Sequence, residues 1–357
     1  MKKSCIYALL LLPLFCACGG GTKVAAGNVA DVARTADGRV ADDIVGSGVL
    51  ESFSAVELEA PVELYYTTAS GQARYEMRGS AALAGRIQID VKDGRLTVRM
   101  KRGRGALPRS GNLRIDVTGP ALSAVTLSGT GDLTADAVTA PGDAGMRLDG
   151  TGSLRVGAVR AGGALRAVLA GTGDLSMGRA DVEGRAELCL TGTGNLGTGA
   201  LQAGGGSLWQ LSGTGSVRAE RIAGGDCSME LLGTGDMYVA ALTVPGVSMC
   251  LSGTGNLAAD GIDAGRLDVR QTGMGGLRLK GRTDDLRMKA EGQGNVEAVG
   301  LTAERAEVSA GGFCMVDCHV TQALTVDVAE HARVRYKGQP VVTDHSERRR
   351  EYLQHID

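Results

Sequence analysis

Seven short polar residues recur at near-constant spacing: Asp132, Ser153, Asp174, Asn195, Ser216, Asp236 and Asn256. A stripe of carboxylates could hold divalent cations, since calcium needs several converging oxygens. No two of these Asp residues fall on neighbouring repeats, however. Carboxylates stacked about 4.8 Å apart would repel by roughly 1 kcal/mol even in water. Alternation with Ser and Asn suits side chains that bond neighbouring backbone and cap a turn. Two positions upstream run Thr130, Thr151, Thr172, Thr193, Thr214, Thr234 and Thr254. A file of hydroxyls could face a polysaccharide or ice; a turn that tolerates Thr is the plainer reading. The threonines, with Asp132, Asp174, Asn195, Asp236 and Asn256, form the candidate ligand-facing ladder.

Other chemistries find less support. A polysaccharide lyase site needs acids clustered beside Arg or Lys on one outward face. Arg155, Arg218 and Arg278 share an outward file, but Thr134, Ser176 and Gly197 interrupt it. No catalytic residue is expected. Past Cys18, the cysteines are Cys189, Cys227, Cys250, Cys314 and Cys318, an odd number. Cys189 and Cys250 fall in one column three repeats apart, about 14 Å at the strand spacing, beyond disulfide range. In an extended strand Cys314 and Cys318 lie about 13 Å apart. Cys314, Cys318 and His319 match no zinc spacing. All five read as free, mostly buried thiols, and neither metal nor cofactor is expected. The histidines at 319, 331, 345 and 355 have no fixed partner, and the basic run Arg99–Arg104 reads as a solvated loop.

The elements that carry these residues are set by a repeat. SGTGDL at 128–133 recurs as DGTGSL, AGTGDL, TGTGNL, SGTGSV, LGTGDM and SGTGNL, and degenerates into TGMGGL, EGQGNV and AGGFCM. The first glycines lie at 129, 150, 171, 192, 213, 233, 253, 273, 292 and 311, and position 330 extends the series. A fixed period near 20 indicates a solenoid. Four residues after each glycine stands an apolar residue, from Leu133 and Leu154 to Val296, Met315 and Val334. Two before it come Leu127 through Leu251, and two further back Val125, Met146, Ala167, Leu188, Trp209, Met229 and Met249. A period of two marks strands. A further column nine residues after the glycine runs from Val138 to Ile262. The shortening from 21 to 19 residues is therefore expected in the later corner. Hexapeptide and nonapeptide helices are excluded by the period. The fold class is all-β: a parallel β-helix solenoid of about eleven regular rungs of 19–21 residues. Glycines flank Thr at the turn because a tight corner calls for positive φ, so Gly171 or Gly173 is expected there.

Composition agrees. Of 357 residues 56 are Gly, aromatics are 3%, and the net charge is −2. Glycine lacks the every-third-residue order of collagen, and 43% hydrophobic content argues against simple disorder. Near-neutral charge disfavours nucleic acid. Scarce aromatics disfavour a cleft lined with aromatic platforms.

Residues 1–17 carry Lys2 and Lys3, then a short apolar run from Ile6 to Phe15. This is a signal segment, too short to span a bilayer comfortably. Ala17 before Cys18 resembles a lipoprotein signal, with cleavage before Cys18 and acylation of its thiol. Leu14 stands one place further upstream than usual. Several acyl chains give stable anchoring, so outer-membrane lipid is an expected partner. Residues 18–43 suit a flexible tether. Gly19-Gly20-Gly21-Thr22-Lys23 lacks the acidic residues that often follow the lipidated Cys in surface-exposed Bacteroidetes lipoproteins, which favours the periplasmic face over the cell surface.

Residues 44–120 lack the period, and Asp93-Gly94 between Ile87–Val91 and Leu96–Met100 signals a hairpin. They are expected to form an N-terminal β cap, with the helix over 121–338 and a C-terminal tail or cap over 339–357. There Asp344 and Glu347 resemble a capping box, with Tyr352, Leu353 and Ile356 facing the rod's end. The segment Val45-Gly46-Ser47-Gly48 through Phe53-Ser54-Ala55-Val56-Glu57-Leu58, followed by the G-T-G turns, resembles the putative auto-transporter adhesin, head GIN domain family, over roughly residues 44–338. The C-terminus departs from it, with Asp344-His345-Ser346-Glu347 where a further glycine-rich turn belongs. The resemblance implies a pectin-lyase-like β-helix, no catalytic residues, and adhesion. The expected function is thus a lipid-anchored, non-enzymatic binding module of the cell envelope, with a polysaccharide or another envelope protein as partner. The alternatives are a carbohydrate-active enzyme on the same scaffold and a structural assembly protein.

Overall fold

The computed structural model describes residues 44–102, 112–329, 331–346 and 352–357. The signal segment, Cys18, the tether, Glu330 and Glu347 lie outside the described residues.

One rung shows why the chain coils. Strand Leu165–Leu169 buries Leu165, Ala167 and Leu169 and turns Arg166 and Val168 outward. The Gly171-Thr172-Gly173 turn leads into strand Leu175–Val182. That strand bends at Gly178, where the register skips from the Met177–Thr198 pair to the Arg179–Ala200 pair. A further corner at Gly184 leads into the next rung. Each rung therefore adds a strand to three parallel sheets. In the first, Met146, Ala167, Leu188, Trp209, Met229 and Met249 stack in register. In the second, Leu133, Leu154, Leu175, Leu196, Val217, Met237 and Leu257 stack. The third stacks Val138, Val159, Ala180, Leu201, Ile222, Leu242 and Ile262. All three columns face inward as the alternation requires. Leu133, Leu154, Leu169 and Leu190 have no exposed surface, and burying one Leu contributes roughly 2 kcal/mol.

The N-terminal region is more entangled than its sequence shows. Strands Ala55–Leu58 and Glu63–Thr68 pair in parallel with Ala124–Leu127 and Asp132–Ala140, so they are already a rung. Residues 69–123 then make an excursion that builds the end of the rod. Strands Arg95–Met100 and Leu113–Gly119 pair with the far edges of 55–58 and 63–68. The expected hairpin is present: Ile87–Lys92 runs antiparallel to Arg95–Met100 across Asp93 (φ 51) and Gly94 (φ 73). Strand Arg74–Gly79 lies antiparallel to Leu113–Gly119, and Ile44–Val49 antiparallel to Arg74–Gly79. One-turn helix Ala81–Ala84, with Ser80 as N-cap, buries Leu83 and Ala84 there.

Three expectations are corrected. Neither Gly171 nor Gly173 lies in the left-handed region; such glycines sit at other bends, as Gly206 (φ 84), Gly224 (φ 119) and Gly281 (φ 128). The first shortening does fall in the later corner, between the Gln202–Ala223 and Ser207–Cys227 pairs. The second falls at the middle bend, between the Ala259–Leu279 and Ile262–Gly281 pairs. Val316, and not Met315, continues the inward column against Val296 and Val334. Either of two adjacent glycines could open that turn, and Gly312 (φ 74) takes the strained position. The C-terminal segment expected as a tail or cap carries two short strands that cover the last rung. Val341–Asp344 and Leu353–His355 pair in parallel with strands Met315–Val328 and Arg333–Lys337. Asp344 ends a strand, and its carboxylate accepts from Ser346 N at 2.9 Å, two residues on; Glu347, the other half of the expected capping box, lies outside the described residues.

Candidate functional site

The glycines of the G-T-G turn serve close approach between rungs. A Cβ on Gly171 would lie 1.9 Å from the Gly150 carbonyl oxygen, and one on Gly173 1.7 Å from that of Gly152. Glycine is needed here because backbone meets backbone. The threonine between them is held by its own N–H, which donates to the first glycine of the preceding rung: Thr172 to Gly150 at 3.1 Å, Thr193 to Gly171 at 3.1 Å, Thr214 to Gly192 at 3.2 Å. Thr130, Thr151, Thr172, Thr193, Thr214, Thr234 and Thr254 are all exposed. They form one straight file of side chains on a backbone-pinned edge.

The Asp/Asn file beside it is occupied internally. Asp132 Oδ1 accepts from Ser153 N at 2.7 Å. Asp174 Oδ1 accepts from Asn195 N and Nδ2, both at 2.9 Å, and Asn195 Oδ1 accepts from Ser216 N at 3.3 Å. Asp236 Oδ1 accepts from Asn256 N at 2.8 Å and Nδ2 at 3.1 Å, and Asn256 Oδ1 accepts from Gly276 N at 3.0 Å. Each side chain caps the backbone one rung ahead, where the G-T-G bend leaves an N–H without a strand partner. Among the described residues no group of three or more His, Cys, Asp or Glu could hold a metal ion.

Two features escaped the sequence reading. The threonine file does not end at Thr254; in register it passes to Met274, Gln293, Phe313 and His331, whose N–H groups donate to Gly253, Gly273, Gly292 and Gly312. Met274 is 62% and Phe313 68% exposed, and the Phe313 ring stacks on His331 at 4.9 Å. The edge thus loses its hydroxyls towards the C-terminus, where Met274 and Phe313 alternate with Gln293 and His331. The second feature is a polar cluster on the outward face of the second sheet. Tyr238 OH donates to Asp260 Oδ2 at 3.1 Å, Lys280 Nζ lies 3.0 Å from Oδ1, and Arg278 Nε lies at 3.9 Å. The Lys280 bond, with help from Tyr238 and Arg278, holds the Asp260 carboxyl below its usual range. Arg218 leans over the Tyr238 ring at 5.7 Å. Arg155 is exposed two rungs before Gly197 in the same file.

Among the described residues no disulfide joins Cys189, Cys227, Cys250, Cys314 or Cys318. Burial pushes Cys227 up to about 11 and Cys318 up to about 12, so neither is a thiolate at neutral pH.

The sequence profile described as "Putative auto-transporter adhesin, head GIN domain" matches residues 52–244 and 241–340. The chain belongs to this family. The match to the head GIN domain begins ahead of the first rung at Ala55 and ends just past the last regular one. Among solved structures, a putative adhesin from Bacteroides fragilis is 15% identical, covering 89% of this chain and 99% of its own at a TM-score of 0.27. A putative adhesin from Parabacteroides distasonis is 13% identical, covering 87% and 95%, TM-score 0.31. A putative lipid binding protein from the same species is 12% identical, covering 87% and 96%, TM-score 0.25. Among curated proteins, none matches. Among the described residues of this GIN-domain chain, no helix is long and apolar enough to cross a membrane.

Proposed function

We propose that this GIN-domain chain is a non-enzymatic adhesion module, held to the outer membrane through acylated Cys18 and facing the periplasm. A rigid rod offers a repeated edge to a polymeric partner, a polysaccharide or another envelope protein. One observation carries the reading: seven exposed threonines share a single edge whose backbone is pinned rung to rung. Such an edge is preorganised, so little ordering entropy opposes binding. Glycan-array binding of the mature chain tests it, with Thr172→Asp and Thr193→Asp expected to weaken capture. Unchanged capture by every variant along the edge would refute its role.

A polysaccharide-cleaving enzyme is the second reading, favoured by the Tyr238–Asp260–Lys280–Arg278 cluster. Its one carboxylate is engaged by Tyr238 and Lys280, which argues for an ion-pair brace. Cleavage of any polysaccharide by the purified chain, abolished in Lys280→Ala, would reverse that order of preference.

A further inference from the structure

A groove of about 700 Å³ runs along the third sheet and belongs to neither feature above. It opens where the rungs shorten. Up to Gly224 separate strands meet at the third corner. From Met237 onward single strands, Met237–Leu251, Leu257–Gln271, Leu277–Ala290 and Val296–Ala310, pass straight through it. The small residues Gly224, Ala264 and Gly265 line it, so little fills the bend. The polar lining includes Thr243, Asp263, Arg282, Asp284, Thr302 and Glu304. Thr243, Asp263, Arg282 and Thr302 stand in register on successive rungs, a file about 14 Å long at the strand spacing.

The chemistry of this lining is selective. Arg282 is already committed: Nε donates to Asp263 Oδ1 at 2.7 Å and Nη2 to Oδ2 at 2.9 Å. Arg305 at the rim pairs with Glu304 at 3.3 Å, so Asp263, Asp284 and Glu304 face two guanidiniums and leave the groove with one net negative charge, which disfavours uronates and sulfated polymers. No aromatic ring lines it, so a flat apolar ligand finds no platform. Its surface offers carboxylate acceptors and hydroxyls that both donate and accept. An uncharged polyhydroxyl chain matches that set, because each sugar hydroxyl can donate to a carboxylate and accept from a threonine. The rung spacing is also close to the length of one pyranose in an extended glycan, so successive sugars meet successive rungs.

We infer that this groove binds an uncharged, extended oligosaccharide. The inference rests on the binding-module reading above, and it names a ligand class and a place distinct from the threonine edge. The test is calorimetric titration of the mature chain with cellohexaose and mannohexaose, against an oligogalacturonate hexamer as the charged comparison. At least one neutral hexamer should bind at least tenfold more tightly than the charged one. Thr302→Arg, which fills the groove from an outward position, should weaken binding at least tenfold, as should Asp284→Ala. Arg166→Ala, on the outward face of the first sheet and away from both groove and edge, should leave it unchanged, and the melting temperatures of all three should match wild type. Equal or tighter binding of the charged hexamer, or loss in Arg166→Ala but not Thr302→Arg, overturns the groove assignment. If no hexamer binds while chain-coated beads still adhere to isolated envelopes, the groove fails and the module stands. If neither binds, both readings fail.

Discussion

Replacing Gly173 by alanine is the sharpest probe of how the rungs are held. The added Cβ would sit 1.7 Å from the Gly152 carbonyl oxygen, whereas real Cβ contacts essentially never fall below 3.0 Å. The two turns must part by more than an ångström. Forcing extra volume into a packed site costs about 1–3 kcal/mol. The separation also stretches the Thr172 N to Gly150 O bond, now 3.1 Å, and a lost backbone bond costs about 1 kcal/mol. The expected destabilisation is therefore about 3 kcal/mol. Gly197→Ala is the control. It lies in the second sheet with nothing within 4 Å of its Cβ position, and the change should be neutral or stabilising by about 0.5 kcal/mol. Urea unfolding followed by circular dichroism compares the two midpoints. A Gly173→Ala loss below about 1 kcal/mol, or one equal to that of Gly197→Ala, would refute close approach as the reason for the glycine.

Labelled fatty acid should incorporate into wild type and not into Cys18→Ala; label retained in the variant removes the anchor. Asp174→Ala leaves Asn195 N without its acceptor and should cost about 1 kcal/mol by the same urea assay. Asp181, Asp263 and Asp285 are held below their usual range, chiefly by hydrogen bonds from Arg179, Arg282 and Arg305. Their contribution is complete above the unfolded carboxylate value of about 4 and is lost as pH falls through the lower folded values. The melting temperature should thus hold from neutral pH to about 5 and fall below about 4; a fall already complete at pH 5 contradicts this. Truncation after Gln339 removes the two final strands that cover Leu324, Val326 and Val334. It should lower the melting temperature and promote end-to-end association in light scattering.

The columns were legible because inward alternation is forced on every residue of a strand. Leu133, Leu154 and Leu175 can face only the core once the period is known. Backbone-to-backbone distance leaves no such trace, so the role of Gly171 and Gly173 was misassigned to φ. The cluster joins Tyr238, Asp260 and the Arg278/Lys280 pair from three successive rungs, and it emerges only when the register is fixed. The slip from Met315 to Val316 arose because two adjacent glycines can each open the same turn. Strands 55–68 lack the G-T-G signal since their neighbour on one side comes from residues 95–119, built by a long excursion. The groove was invisible for a related reason: residue loss at a corner shows in the spacing, but the concavity it leaves does not.

That excursion sets the order in which the rod can assemble. Contacts between the first rung and the next span 69 residues, against 21 between later rungs. Closing the longer loop costs about 1 kcal/mol more in chain entropy. The rung at 55–68 waits with both edges bare until its two neighbours, both further along the chain, arrive. Afterwards each new rung finds a completed template immediately behind it, and growth needs only a short closure. The slow step therefore belongs to the N-terminal third, and the remainder winds on behind it as the chain lengthens. An injury near Ala55 or Leu96 should arrest winding at its origin, while one near Val326 merely shortens the rod.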